Sequence, residues 1–280
     1  MIFYKSSSGG NDFILLEEHQ LSKIHINKRT SFIRDICDRY RGVGGDGLIS
    51  YRIEKEEIHF SIFNRDGSKA ELSGNGMSGL ASLLFYTSNS ANTVILSTDS
   101  GPKKITLLNR KKNIFKLSVE IGEPDFFNIQ QFPFLKRNQF EYQLDNISFY
   151  PVSVGNPHVV IFIDKNLRES DLEQKGKDIE NSVLFPTRTN VEFISNLESS
   201  GNKKIVTPFF YERGVGKTEL SSTGSAAIFA VLRNLDLTSD NLIIKTGDII
   251  TKVSGKNNIY IENSTEIVYK GTYLNEKFSS

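Results

Sequence analysis

Two serines stand in nearly the same eight-letter setting. Residues 69–76 read KAELSGNG and residues 217–224 read KTELSSTG, with five letters agreeing in place at an offset of 148. Small residues follow Ser73 and Ser221, and then apolar residues at helical spacing: Met77, Leu80, Leu83 and Leu84 in one copy, Ala226, Ile228, Phe229 and Leu232 in the other. Taken singly, such a serine is best explained as a helix N-cap. Taken together, the pair could address opposite faces of one carbon atom. Gly74, Asn75 and Gly76, and likewise Ser222, Thr223 and Gly224, would let backbone N–H groups at the two helix starts receive a small carboxylate.

A hydroxyl is a weak acid and acts in proton transfer only beside another base. Two other polar residues stand out nearby, each with an ordinary explanation. Glu212, in YERG (211–214), lies at a strand end shortly before Ser221, although beside Arg213 it could be an ordinary surface ion pair. His158, in GNPHVV (155–160), could equally be a hydrogen-bonded core histidine. Neither serine lies in the G-x-S-x-G turn of serine hydrolases; their settings are LSGNG and LSSTG. GVGGDG (42–47) matches the glycine spacing of a dinucleotide loop, but in reversed context. The helix-like FIRDICDRYR precedes it and the strand-like LISYRI follows, which predicts a helix C-cap and turn.

The elements that must carry these residues repeat with them. Strand-like runs IHFSIFN (58–64) and IVTPFFYE (205–212) precede the two serine motifs, and VILSTDSG (94–101) and LIIKTGDI (242–249) follow the two helices. Each copy therefore reads strand, serine turn, helix, strand. A looser echo links GGNDFILLE (9–17) with VGNPHVVIF (154–162). The predicted architecture is α+β: two pseudo-symmetric domains, each a barrel-like sheet wrapped around a central helix. The join falls near IGEPDFFN (121–128), giving domains of residues 1–120 and 121–265.

Bulk properties narrow the classes. The chain has 280 residues, 38% of them hydrophobic and 24% charged, and a formal net charge of +1, so nothing in its charge points to nucleic acid. No apolar run has the length of a membrane span or a secretory leader. The single cysteine, Cys37, rules out an internal disulfide framework and fits the cytoplasm. His19, His25, His59 and His158 show no metal-ligand spacing, so no metal is expected.

GGNDF, FNRDGSKAELSGNG, GEPDF, VGNPHVV, FPTRTNVEFI and YERGVGKTELSSTGS, in this order, resemble the diaminopimelate epimerase family across essentially the whole chain. The resemblance implies an isomerase that interconverts LL- and meso-diaminopimelate without a cofactor, in lysine and cell-wall biosynthesis. It also implies two similar domains, with residues 266–280 returning to the first. Its partner would be a small amino acid; a homodimer is left open. In that family two cysteines flank the substrate Cα, one taking its proton and the other returning one from the opposite face. Ser73 and Ser221 occupy those positions here. The resemblance places His158 and Glu212 beside the reacting centre. It assigns Asn11, Asn64, Asn156, Asn190, Glu212 and Arg213 to gripping the amino acid, and Gly74, Asn75, Ser222 and Thr223 to its α-carboxylate. With serine at both positions, three readings stand: a retuned amino-acid epimerase, a divergent isomerase or dehydratase of the same fold, and an amino-acid-binding homologue without chemistry.

Overall fold

The computed structural model describes residues 1–55, 57–70, 73–88, 92–98, 101–163, 167–201, 203–274 and 278. The chain divides into two compact units, Met1–Val119 with Asn263–Ser280, and Glu120–Glu262. Among the described residues no helix is long and apolar enough to cross a membrane.

The first unit begins with the strands β1 (Ile2–Ser8) and β2 (Asn11–Glu17), then a short helix α1 (Glu18–Leu21) and α2 (Arg29–Cys37). There follow β3 (Gly47–Glu54), β4 (Glu57–Asn64), β5 (Lys69–Ala70) and helix α3 (Gly74–Thr87). Three strands complete the run: β6 (Thr93–Thr98), β7 (Gly101–Lys111) and β8 (Ile114–Gly122).

The second unit holds β9 (Tyr142–Leu144), β10 (Ile147–Ser153), β11 (Pro157–Phe162) and helix α4 (Glu169–Glu180). It continues with β12 (Asn190–Ser200), β13 (Lys203–Glu212), β14 (Gly216–Thr218) and helix α5 (Ser222–Asn234). The chain finishes with β15 (Asn241–Thr246), β16 (Ile249–Ser254) and β17 (Ile259–Thr272). The strands β8 and β17 each run across the point at which the two units divide.

In the first unit β1 pairs antiparallel with β2, β2 parallel with β3, β3 antiparallel with β4, and β4 parallel with β6. β6, β7 and β8 follow as an antiparallel meander. β17 pairs with both β8 and β1, from Ser8 opposite Thr265 to Ile2 opposite Thr272, so the strands close on themselves. Each parallel step needs a crossover: α2 lies between β2 and β3, and α3 between β4 and β6.

Burial explains the layering. Helix α3 is buried at every position from Gly74 to Phe85, as expected of a helix enclosed by sheet. The run Phe13-Ile14-Leu15-Leu16 of β2 is buried on both faces, because the strand has a helix on either side. Ile14, Leu16 and Leu48 pack with Phe32, Ile33, Ile36 and Cys37 of α2.

The second unit repeats the sense of every step. β10–β11 is antiparallel, β11–β12 parallel, β12–β13 antiparallel and β13–β15 parallel, with β15, β16 and β17 as the meander. Helix α5 is buried from Ser222 to Leu232, in the place that α3 holds in the first unit. Leu172 and Ile179 of α4 pack against Val159, Ile161, Val191 and Phe193, with the rings of Phe132, Phe149 and Phe185 in the same cluster. The duplication read from the letters is therefore a duplication of sheet topology.

Candidate active site

Both serines are N-caps. Ser73 precedes α3 in an extended conformation, and its Oγ accepts the Gly76 N–H at 3.0 Å. Ser221 precedes α5, and its Oγ accepts the Gly224 N–H at 3.1 Å. A cap uses a lone pair of the oxygen and leaves the O–H proton available for donation. The structural and chemical readings of these serines are thus compatible.

Around the start of α3, Asn75 Nδ2 donates to Asn11 Oδ1 at 2.6 Å, joining two predicted substrate residues. Gly74 is buried beside them, whereas the Asn64 carboxamide turns to Ser68 Oγ at 2.9 Å. Residues 71–72 of the first repeated motif lie outside the described residues.

GVGGDG forms a turn before a strand, as its context predicts, but it does not cap the helix, which ends at Cys37 with Asp38 as its C-cap; Gly44 has φ +80, its N–H returns to Ile36 O at 3.0 Å, and β3 begins at Gly47. The turn is fastened to the start of β2. The Asp12 N–H donates to Asp46 Oδ2 at 3.1 Å and the Asp46 N–H to Asp12 Oδ1 at 3.2 Å. Arg39 grips both Asp12 oxygens, at 2.7 and 3.0 Å, and Lys5 reaches Asp12 and the Gly44 carbonyl. Burial by itself would raise the Asp12 carboxyl, but hydrogen bonds from Arg39 and Lys5 prevail and hold it well below the usual carboxylate range. Asn11, the neighbour of Asp12, therefore stands on a cross-braced turn.

At the start of α5 the hydroxyl has a base beside it. Glu212, the last residue of β13, accepts a hydrogen bond from Thr218 Oγ1 at 2.8 Å, and the Ser221 hydroxyl stands near it. Burial raises its carboxyl; the Thr218 bond, nearby His158 and the Ser221 hydroxyl oppose the rise, and repulsion from Glu192 adds to it. A carboxylate raised by burial and close to a hydroxyl is suited to take that hydroxyl's proton. Thr223 Oγ1 lies 3.5 Å from Ser221 Oγ, and Ser222 and Thr223 are buried in the first turn of the helix.

His158 is fully enclosed, and both of its nitrogens are engaged. Nδ1 lies 2.8 Å from Glu192 Oε1, and Nε2 lies 2.9 Å from Asn156 Oδ1. Its place is one step behind Asn156. Asn190 Nδ2 donates to Pro157 O at 2.8 Å, while Asn190 Oδ1 accepts the Arg213 N–H at 3.0 Å. Arg213 Nη1 in turn donates to Thr187 O at 3.0 Å. Asn156, His158, Asn190, Glu212, Arg213 and Ser221 thus cluster within the second unit through shared partners. Asn11, Ser73, Gly74 and Asn75 cluster at the helix start of the first. Among the described residues no group of three or more His, Cys, Asp or Glu is placed to hold a metal ion.

Glu192, Thr218 and the Asp12–Arg39–Asp46 brace were not among the residues selected from sequence. For Glu192 a signal was present: two residues after Asn190, it shares that residue's face of a strand, and it is acidic between the apolar Val191 and Phe193-Ile194.

The model for diaminopimelate epimerase matches residues 3–127 and 150–273. Diaminopimelate epimerase of Carboxydothermus hydrogenoformans is 32% identical over 284 residues, covering 98% of this chain and 100% of its own. That of Desulforapulum autotrophicum is 32% identical over 253 residues, covering 86% of this chain and 87% of its own. A probable proline racemase from Agrobacterium radiobacter superposes with a TM-score of 0.68 at 13% identity, over 99% of this chain and 94% of that one, which shows a common fold.

Proposed function

The chain belongs to the diaminopimelate epimerase family, a family of isomerases, and from that premise we propose that it interconverts LL- and meso-diaminopimelate by proton transfer at Cα, with Ser73 and Ser221 as the two proton carriers. The observation that carries the proposal is the nearness of Glu212 to Ser221: a carboxylate raised by burial stands beside the hydroxyl that must become a base. In the forward step the Cα–H bond breaks, its proton passes to Ser221 Oγ, and the proton of Ser221 passes to Glu212. Ser73 returns a proton to the opposite face of Cα. Being partly exposed, it is replenished from water. The N–H groups of Gly76 and Gly224 at the two serine oxygens, together with the helix dipoles, favour negative charge on those oxygens during transfer.

The relatives give no support to a homologue that binds an amino acid without chemistry: the curated ones described above bear the enzyme's name. The proposal includes a small amino acid as partner, no nucleic acid and a cytoplasmic location. Light scattering tests whether two copies form a homodimer.

Incubation with LL-diaminopimelate in D2O should place deuterium at Cα, read by proton NMR. The double variant Ser73→Cys with Ser221→Cys should accelerate incorporation roughly 100- to 10,000-fold, the range of general acid–base catalysis, because a thiol reaches its anion far more readily than a hydroxyl. No deuterium at high enzyme concentration in either protein rejects the epimerase reading.

A further inference from the structure

Glu192 is a carboxylate with no surface exposure, and its Oε2 has no hydrogen-bond partner among the described residues. An acidic side chain so placed is costly, and its presence calls for a role. Its surroundings are specific. On one side Oε1 meets His158 Nδ1 at 2.8 Å, and the opposite ring nitrogen meets the Asn156 carboxamide oxygen at 2.9 Å. On another side the first turn of α5 lies so close that a Cβ on Gly224 would come within 2.7 Å of Oε1 and 2.9 Å of the Phe210 ring. Gly224, one of the letters common to both serine motifs, is therefore what admits this carboxylate beneath the helix start. The parallel register, with His158 opposite Asn190 and Val160 opposite Glu192, fixes how far Glu192 must reach to meet the ring.

Three side chains thus form one chain, Glu192 to His158 to Asn156. Asn156 Oδ1 faces the ring, so His158 Nε2 must carry a proton and the Asn156 NH2 group must turn away from it. Whether the second proton rests on Nδ1 or on Glu192, this order holds. Without a partner at Nδ1 the ring would lose one of its two anchors, and the carboxamide would lose its fixed orientation.

We propose that Glu192 is a positioning residue: acting through His158, it holds the Asn156 carboxamide in the single orientation that receives the amino acid. This rests on the epimerase reading given above, in which Asn156 grips substrate. The mechanism follows from the need for small polar groups to be locked by the groups behind them.

The test compares Glu192→Gln and Glu192→Ala in the full chain, measuring Cα exchange of LL-diaminopimelate as KM and kcat separately. E192A should raise KM about 10-fold while kcat changes by less than about 3-fold, because uniform binding is lost and not the chemical step. E192Q, whose amide can still bond Nδ1, should restore KM to within about 3-fold of the parent. On an Asn156→Ala background, E192A should add little further loss. Should E192A fail to fold, Glu192→Leu fills the space and carries the same expectation. A slowly exchanging His158 Hε2 resonance close to the Asn156 side chain is expected in the parent protein. An unchanged KM in E192A, a loss in E192Q equal to that in E192A, additive losses, or absence of that resonance overturns the proposal. A parent without exchange rejects the epimerase reading alone, and the resonance then decides the positioning by itself.

Discussion

At the scale of single residues, serine asks more of its neighbours than cysteine would. A thiol near its usual pKa is partly ionised at neutral pH, whereas a hydroxyl must hand its proton to a base as it acts. Glu212 fills that role beside Ser221, and the same burial that raises its carboxyl has a consequence for stability. The folded state holds the Glu212 proton at pH values where the unfolded chain has released it. Stability therefore falls as pH rises from the ordinary glutamate range through the raised folded value. Glu212→Gln removes this penalty, so its Tm relative to the parent should increase as pH rises through that window and level off above it. A Tm difference independent of pH would show that Glu212 is not raised. This residue could be selected from sequence because it stands beside a serine motif. That it is raised could not be, since burial comes from parts of the chain distant in sequence.

At the scale of elements, each serine is first a cap. Ser73→Ala should cost about 1 kcal/mol of stability by removing the acceptor for the Gly76 N–H. Chemical denaturation measures it, and a cost near zero would mean that the helix start finds another partner. Ser73→Cys should keep part of that cost while increasing exchange, so stability and activity should move in opposite directions. The caps were legible in the letters because a helix start is a local event: an extended residue with a short polar side chain, then small residues, then apolar periodicity. The GVGGDG turn was legible for the same reason. What the elements did with their surplus polar groups was not. The reciprocal Asp12–Asp46 bonds join residues 34 apart, and nothing in either local sequence announces the other.

At the scale of the whole molecule, the last strand decides the first unit. β17 pairs with β1 along residues 265–272 and also with β8, so the closing strand of that unit comes from the far end of the chain. Met1 and Tyr273 bond at 2.8 Å, and Phe278 meets Phe32 ring edge to face at 5.6 Å. A chain ending at residue 262 should therefore leave β1 and β8 with open edges and α3 without its enclosure. Hydrogen exchange should show protection lost throughout residues 1–119; protection that persists there would mean that the ring closes without β17.

The amino-acid sequence by itself determined the repeat, the order of strand, serine, helix and strand in each copy, and the residue types available at each helix start. These follow from periodicity, capping and turn chemistry, which act over a few residues. The tertiary structure decided which strands pair in parallel, that β17 closes a ring begun by β1, and that Glu192 meets His158 from 34 residues away. The reason is physical: a strand offers the same backbone bonds to any partner, so its neighbour is selected by what the whole sheet and its enclosed helix can bury together.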